Sequence, residues 1–347
     1  MVSASGIRVP CAGFTVVEMM VAAAILMVVL VIVLGITEQT QIGLKFSTDK
    51  IEAFQNARAA FEAITRAVSS ATLNTYYDYY NASRERRTPA NATAFVPAAY
   101  GRYSELEFVS GKTLVSAPRS QITHSIFFQS PLSYTQDTKY ANLVESLNVT
   151  GFFLDFHHDG SERPGFYRAK PRYRYRLMQL LEPTESFSVY SPNASNHSWL
   201  TGPISRTNPP VRLLAENIVA LVIWPKLPEE TPGGSQLLAR DFEYDSRIAN
   251  ASPPTAWTAD QPQPAKMNQL PPVVRVLMIA VDERSMARLQ GDSTSQPDLG
   301  FDYASVFQSA NKLDEDIETV SDALTAKNIN FRIFQTDIVI RGAKWSS

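Results

Sequence analysis

Apolar residues run without a break from Met19 to Ile36, and with Val16 and Val17 they reach the ~20 residues that a membrane-crossing helix needs. One charge stands near the start of this run, Glu18. A carboxylate held deep in lipid costs roughly 2.5–3.5 kcal/mol, so Glu18 is expected near an interface or beside a cationic partner. Past Ile36 the pattern changes. Glu38, Gln39 and Gln41 make the chain polar, and then Ile51, Phe54, Ala57, Phe61, Ile64 and Val68 recur at intervals of three and four. That spacing predicts an amphipathic helix with one buried stripe. The two patterns join into one helix over 14–71, with 14–36 in the membrane and 37–71 packed on a domain. Gly35 and Gly43 are the positions at which it would loosen.

From residue 72 onward the pattern belongs to a β-rich ectodomain. Residues 76–104 read as an irregular connection, its tyrosines covering a sheet edge and the run Arg84-Glu85-Arg86-Arg87 solvated. Strands are expected at Glu105–Val109, Thr113–Val115, Ser125–Gln129, Val149–Phe156 and Tyr173–Leu180, and then at Val211–Trp224, Leu237–Tyr244, Val273–Asp282 and Phe331–Ile340. Tyr173 and Tyr175 alternate with Arg172, Arg174 and Arg176, which predicts a half-exposed strand with its tyrosines in the core and its arginines in water. Ile218–Trp224 is apolar at every position and suits a central strand. An acidic helix is expected at Lys312–Lys327. Two linkers, Ser191–Pro210 and Ala249–Pro272, are long enough to carry a binding surface. The fold class is therefore α+β: a long N-terminal transmembrane and amphipathic helix packed on an antiparallel β-rich globular domain. That domain is divisible into subdomains at about 105–190 and 211–347.

The order Gly13-Phe14-Thr15-x-x-Glu18 before a membrane-length apolar run resembles the type IV prepilin signature. The resemblance implies a leader, 1–13, removed by a prepilin peptidase between Gly13 and Phe14, with the new Phe14 amine then methylated. It makes Glu18 the assembly carboxylate, neutralising the Phe14 amine of a neighbouring subunit, a pairing that a desolvated charge requires. It implies a pilin-like ectodomain. It also implies other pilin or pseudopilin subunits as partners through the N-terminal helix, and a single-pass location in a bacterial inner membrane with a periplasmic ectodomain, followed by entry into a filament. The size favours a minor subunit of a type II secretion pseudopilus or type IV pilus. Leu214–Pro225 and Leu270–Val276 resemble segments of J-type minor pseudopilins. Tyr173–Leu181 and Asp241–Arg247 resemble a prepilin-like family encoded in multi-gene cassettes of Verrucomicrobia-type bacteria, cassette protein C.

Charge and composition narrow the alternatives. The leader holds one basic residue, Arg8, and Lys45 and Lys50 lie beyond the apolar run, so charge counting does not orient the helix. Cys11 is the single cysteine and leaves with the leader if the cut occurs, so no disulfide or cysteine metal site is expected. A formal net charge of −2 argues against general nucleic-acid binding. Arg172, Arg174 and Arg176 with the nearby tyrosines, Tyr167 among them, could track a phosphate backbone as in a DNA-uptake pilin, but the alternation accounts for them without a ligand. His157-His158-Asp159 is the most metal-like run, yet adjacent side chains on a strand point to opposite faces. Asp241, Glu243 and Asp245 stand at alternate positions and would share a face as a solvated edge or a calcium ligand set. No nucleotide loop, nucleophile elbow or zincin helix is present, so the expectation is a structural protein with no catalytic residue, no metal and no cofactor. The rival from another class is a signal-anchored periplasmic binding module, indifferent to Glu18.

Overall fold

The computed structural model describes residues 15–117, 119–160, 163, 164, 166, 168, 170–190, 197–234, 237–247, 263 and 266–344, with side chains of 42–51 excepted. The leader with Cys11, the cleavage pair Gly13 and Phe14, Tyr167, residues 191–196 of the first expected linker and most of the second lie outside the described residues.

Helix α1 runs Val16–Ser69, within two residues of the span that the two apolar patterns predict. The chain divides into two units inside it, Met1–Ile51 and Glu52–Ser347. In the first unit every described side chain from Thr15 to Gln41 is exposed. Val16–Gln41 is long and apolar enough to cross a membrane. In the second unit the stripe is buried as spaced: Ala57 and Ile64 are 1 % and 0 % exposed, and Phe54, Phe61 and Val68 join them in the core.

Among the described residues, eleven strands and three further α-helices follow α1. A six-stranded antiparallel sheet has the order β7 (Val211–Glu216), β6 (Tyr173–Glu182), β5 (Leu147–His158), β4 (Ser125–Pro131), β3 (Val109–Gly111) and β9 (Tyr244–Asp245). A three-stranded antiparallel sheet has the order β11 (Phe331–Val339), β10 (Val273–Val281) and β8 (Ile218–Lys226). Strands from residues 211–347 are therefore shared between both sheets. Helices α2 (Ser198–Ile204), α3 (Glu283–Gln290) and α4 (Leu313–Ala326) complete the unit. The last coincides with the expected acidic helix and carries Asp314, Glu315 and Asp316 in its first turn, where negative charge suits the helix dipole.

Strand parity explains the two cores. Ile126, Phe128, Phe152, Leu154, Tyr175 and Leu177 pack in one cluster with the α1 stripe and with β8 and β10. Phe127, Val149, Phe153, Met178 and Leu180 face the other way and pack with Trp199, Leu200 and Ile204 of α2. The middle of the large sheet is thus dry on both faces, which is why its strands are near-continuous apolar runs. Gly151 is required there. A Cβ at this position would lie 2.0 Å from Cδ1 of Phe127, its cross-strand partner.

The structure corrects several expectations. Val211–Trp224 is two strands in two different sheets. Asn217 at φ 59° turns the chain between them, and Asn is one of the few residues that enter the left-handed region at low cost. Residues 76–104 are not irregular throughout, because β1 (Tyr76–Tyr80) pairs with β2 (Ala99–Tyr103) as a hairpin. Its Tyr77 stacks on Tyr100 and Tyr79 tilts against the same ring, all three exposed at the surface. Arg86 is not merely solvated: its guanidinium lies 3.8 Å over the Tyr103 ring and donates to the Tyr76 hydroxyl at 2.6 Å. Thr113–Val115 is a bend running into irregular chain and forms no strand, and Leu237–Tyr244 contributes only the start of β9.

Candidate functional site

Polar groups converge at the start of α1 and at one edge of the large sheet. Glu18 Oε2 accepts from the Thr15 N–H at 2.9 Å and from the Thr15 hydroxyl at 3.0 Å, while the Glu18 N–H donates to Thr15 Oγ1 at 3.3 Å. This is a reciprocal capping box, Thr-x-x-Glu, and it satisfies amides that have no partner inside the helix. Both bonds land on one carboxylate oxygen, and the group sits at the positive end of the helix dipole. A single anion is thereby fixed at the head of an apolar rod. The sequence reading quoted Thr15 within the motif without noting that its spacing of three from Glu18 is the capping-box signal.

The second place lies at the β3–β9 edge of the large sheet. Glu107, just before β3, is held by its backbone N–H, which donates 2.8 Å to Gln129 Oε1. His197 precedes α2 in the left-handed region at φ 59°. Asp245 ends β9 opposite Val109. These three side chains converge, with His197 Nε2 3.0 Å from Glu107 Oε1 and 3.0 Å from Asp245 Oδ2. Glu107 is 2 % exposed. Its other oxygen, Oε2, is taken by the Trp199 indole N–H and by Arg247 Nη1 at 3.0 Å. Asp245 Oδ1 accepts from the Arg247 N–H at 2.7 Å. Hydrogen bonding first to Asp245 and then to Glu107 raises the His197 imidazole to about 9, against its burial. Glu107 and His197 were missed because 90 residues separate them, one in an expected strand and the other in an expected linker.

The residues expected to bind or ligate are placed differently. Arg174 and Arg176 are not on a water-facing side, being 4 % and 0 % exposed. Arg176 donates to Glu216 Oε1 from Nη2 at 2.9 Å and from Nε at 3.1 Å, and its Nη1 to the His157 carbonyl at 2.5 Å. Arg174 Nη2 lies 3.0 Å from Glu283 Oε1, and the exposed Arg172 lies 3.5 Å from the same oxygen. Carboxylates from β7, α3 and Asp159 pair these cations, so the half-exposed strand is corrected to a buried one.

His157 and His158 diverge as expected of strand neighbours, and His157 turns to Asp155 two residues away, Nδ1 to Oδ2 3.2 Å, with Arg119 3.3 Å from the same oxygen. Asp159 accepts from the Arg172 N–H at 2.8 Å and pairs with Arg163 at 2.5 Å. Those contacts hold its carboxyl low against the burial that raises it. Asp241, Glu243 and Asp245 do not form one face, because β9 is only two residues long. Asp241 and Glu243 are exposed while Asp245 turns to His197.

Residues 8–34 match the family model described as the prokaryotic N-terminal methylation motif. The chain therefore carries a type IV prepilin-like signal on an N-terminal apolar helix, followed by an α+β domain. No curated protein and no solved structure matches the chain.

Proposed function

We propose that this chain is a structural, non-enzymatic minor subunit of a type II secretion pseudopilus or type IV pilus. The observation that carries the reading is the coincidence of the methylation motif at 8–34 with an exposed apolar helix whose first turn fixes one carboxylate, Glu18. A prepilin peptidase would cut after Gly13 and methylate Phe14. The helix would hold the subunit in the inner membrane with its ectodomain in the periplasm, and then enter the filament. The capping box supports the assembly role of Glu18. It orients the carboxylate through Oε2, and Oε1 of the same group can receive the amine of a neighbouring subunit. Leu214–Pro225 and Leu270–Val276, which resemble J-type minor pseudopilins, favour a place among the large minor subunits.

The test is incorporation. Glu18→Ala in the full chain is expected to leave membrane insertion and ectodomain folding intact while abolishing recovery in the sheared filament fraction or in cross-links to other subunits. Unchanged recovery would reject the assembly role and leave the anchored binding module.

A further inference from the structure

We propose that Glu107, His197 and Asp245 form a binding site for one divalent transition-metal ion, with zinc the best fit. The proposal is independent of the prepilin reading. It begins from a geometric problem. A single imidazole N–H has one direction, yet Nε2 of His197 stands 3.0 Å from two separate carboxylate oxygens. The three ligand atoms lie within 4.8 Å of one another. A metal ion bound at about 2.1 Å to each of two ligands at roughly right angles separates them by about 3.0 Å, and a tetrahedral angle separates them by about 3.4 Å. One ion meets both oxygens along separate bonds, where a single N–H has to be shared between them.

The surroundings match what a ligating carboxylate needs. Each acid has one oxygen held by an outer donor and the other turned to His197. Trp199 and Arg247 hold Glu107 Oε2, and the Arg247 amide holds Asp245 Oδ1. Outer hydrogen bonds of this kind orient ligands and tune the ion. Glu107 Oε1, Asp245 Oδ2 and His197 Nε2 face one another and are the three ligand atoms of the proposed site. His197 is 24 % and Asp245 14 % exposed by side chain, so an ion can reach the site from solvent and keep water at its remaining position. The two carboxylates outweigh the Arg247 guanidinium beside Glu107, so the site presents net negative charge to a cation, and the Nε2 proton leaves to solvent as the ion takes its place.

The donor set decides the class. Calcium takes six to eight oxygens and does not favour imidazole, whereas one nitrogen with two carboxylates suits zinc and its neighbours in the transition series. The ion would tie the residue that leads into α2 to β9 and to the segment entering β3, closing the edge of the large sheet.

The experiment uses the full chain purified in detergent, stripped with chelator and dialysed against zinc or calcium, with bound metal counted by mass spectrometry. The expected result is one zinc per chain, no stoichiometric calcium, and affinity weakened roughly tenfold or more in Asp245→Asn and His197→Gln. His157→Gln, which removes a histidine outside the site, is expected to bind as the parent does. X-ray absorption of the zinc-loaded parent adds a readout that needs no variant to fold: one imidazole, oxygen scatterers otherwise, and no sulfur from Cys11. Absence of zinc after dialysis, equal retention in both site variants, or a spectrum with sulfur or several imidazoles would overturn the site. Calcium at the same residues in place of zinc would overturn the metal class.

Discussion

The two ends of α1 are rich in the same kinds of residue and use them in opposite ways. From Val16 to Gln41 apolar side chains surround the axis and all are exposed. From Glu52 to Ser69 they occupy one stripe, and Ala57, Ile64 and Val68 vanish into the core. Helix propensity alone does not separate the halves. The angular distribution of apolar side chains does, because a stripe needs one packed partner whereas an all-round apolar surface needs an apolar solvent. Fixed polar groups divide along the same line. The first half holds one anion in a capping box at its head. The domain continuing the second half buries charges such as Arg176 and Glu107, each with partners on other elements.

The largest effect expected from breaking this comparison comes from placing the same residue in each half. Ile64→Asp buries an unpaired carboxylate at a site 0 % exposed and is expected to cost about 5 kcal/mol, enough to unfold the domain. Leu30→Asp is expected to weaken membrane insertion by roughly 2.5–3.5 kcal/mol and to leave ectodomain melting unchanged. Membrane extraction and thermal melting of the full chain separate the two outcomes. Loss of ectodomain stability in Leu30→Asp would show that the halves are not independent.

Next in size is the charge that the strand pattern placed in water. Arg176→Ala is expected to destabilise the domain by about 3 kcal/mol, since it removes one partner of a buried pair. A surface arginine would cost almost nothing, so the melting temperature distinguishes the two.

A pH effect of similar size belongs to the domain. His124 is fully buried beside β8, with Nδ1 accepting the Ile223 N–H at 3.1 Å and Nε2 donating to the Phe307 carbonyl at 3.0 Å. Burial pushes it down to about 3. The unfolded chain takes up a proton near pH 6.5 that the folded chain refuses. Stability is therefore complete above that pH and falls by about 1.4 kcal/mol per unit as pH drops toward 3. Urea melts of the full chain between pH 7 and 4 are expected to show about 3 kcal/mol of loss from this group. His124→Gln is expected to flatten the profile.

These cases show what the chain made legible. Both halves of α1 could be read because their periods are long and uninterrupted. The break at Asn217 could not, since no glycine or proline marks it and the left-handed turn shows only in the backbone. Alternation in β6 was read as core against water, when both faces are buried and the arginines meet carboxylates brought from Glu216 and Glu283. Glu107, His197 and Asp245 were invisible as a group for the same reason: the sheet assembles them, not the spacing.

The smallest effect sharpens the head of the helix. Thr15→Ala removes the capping box and is expected to cost the first turn about 1 kcal/mol, read as faster amide exchange there with the ectodomain unaffected.

The most direct measurement is the mass of the mature amino terminus after co-expression of the full chain with an active prepilin peptidase. A terminus at Phe14 carrying one added methyl is the predicted result, with the Gly13 leader gone. An intact Met1 leader, beside a control substrate cut in the same cells, would contradict the prepilin account.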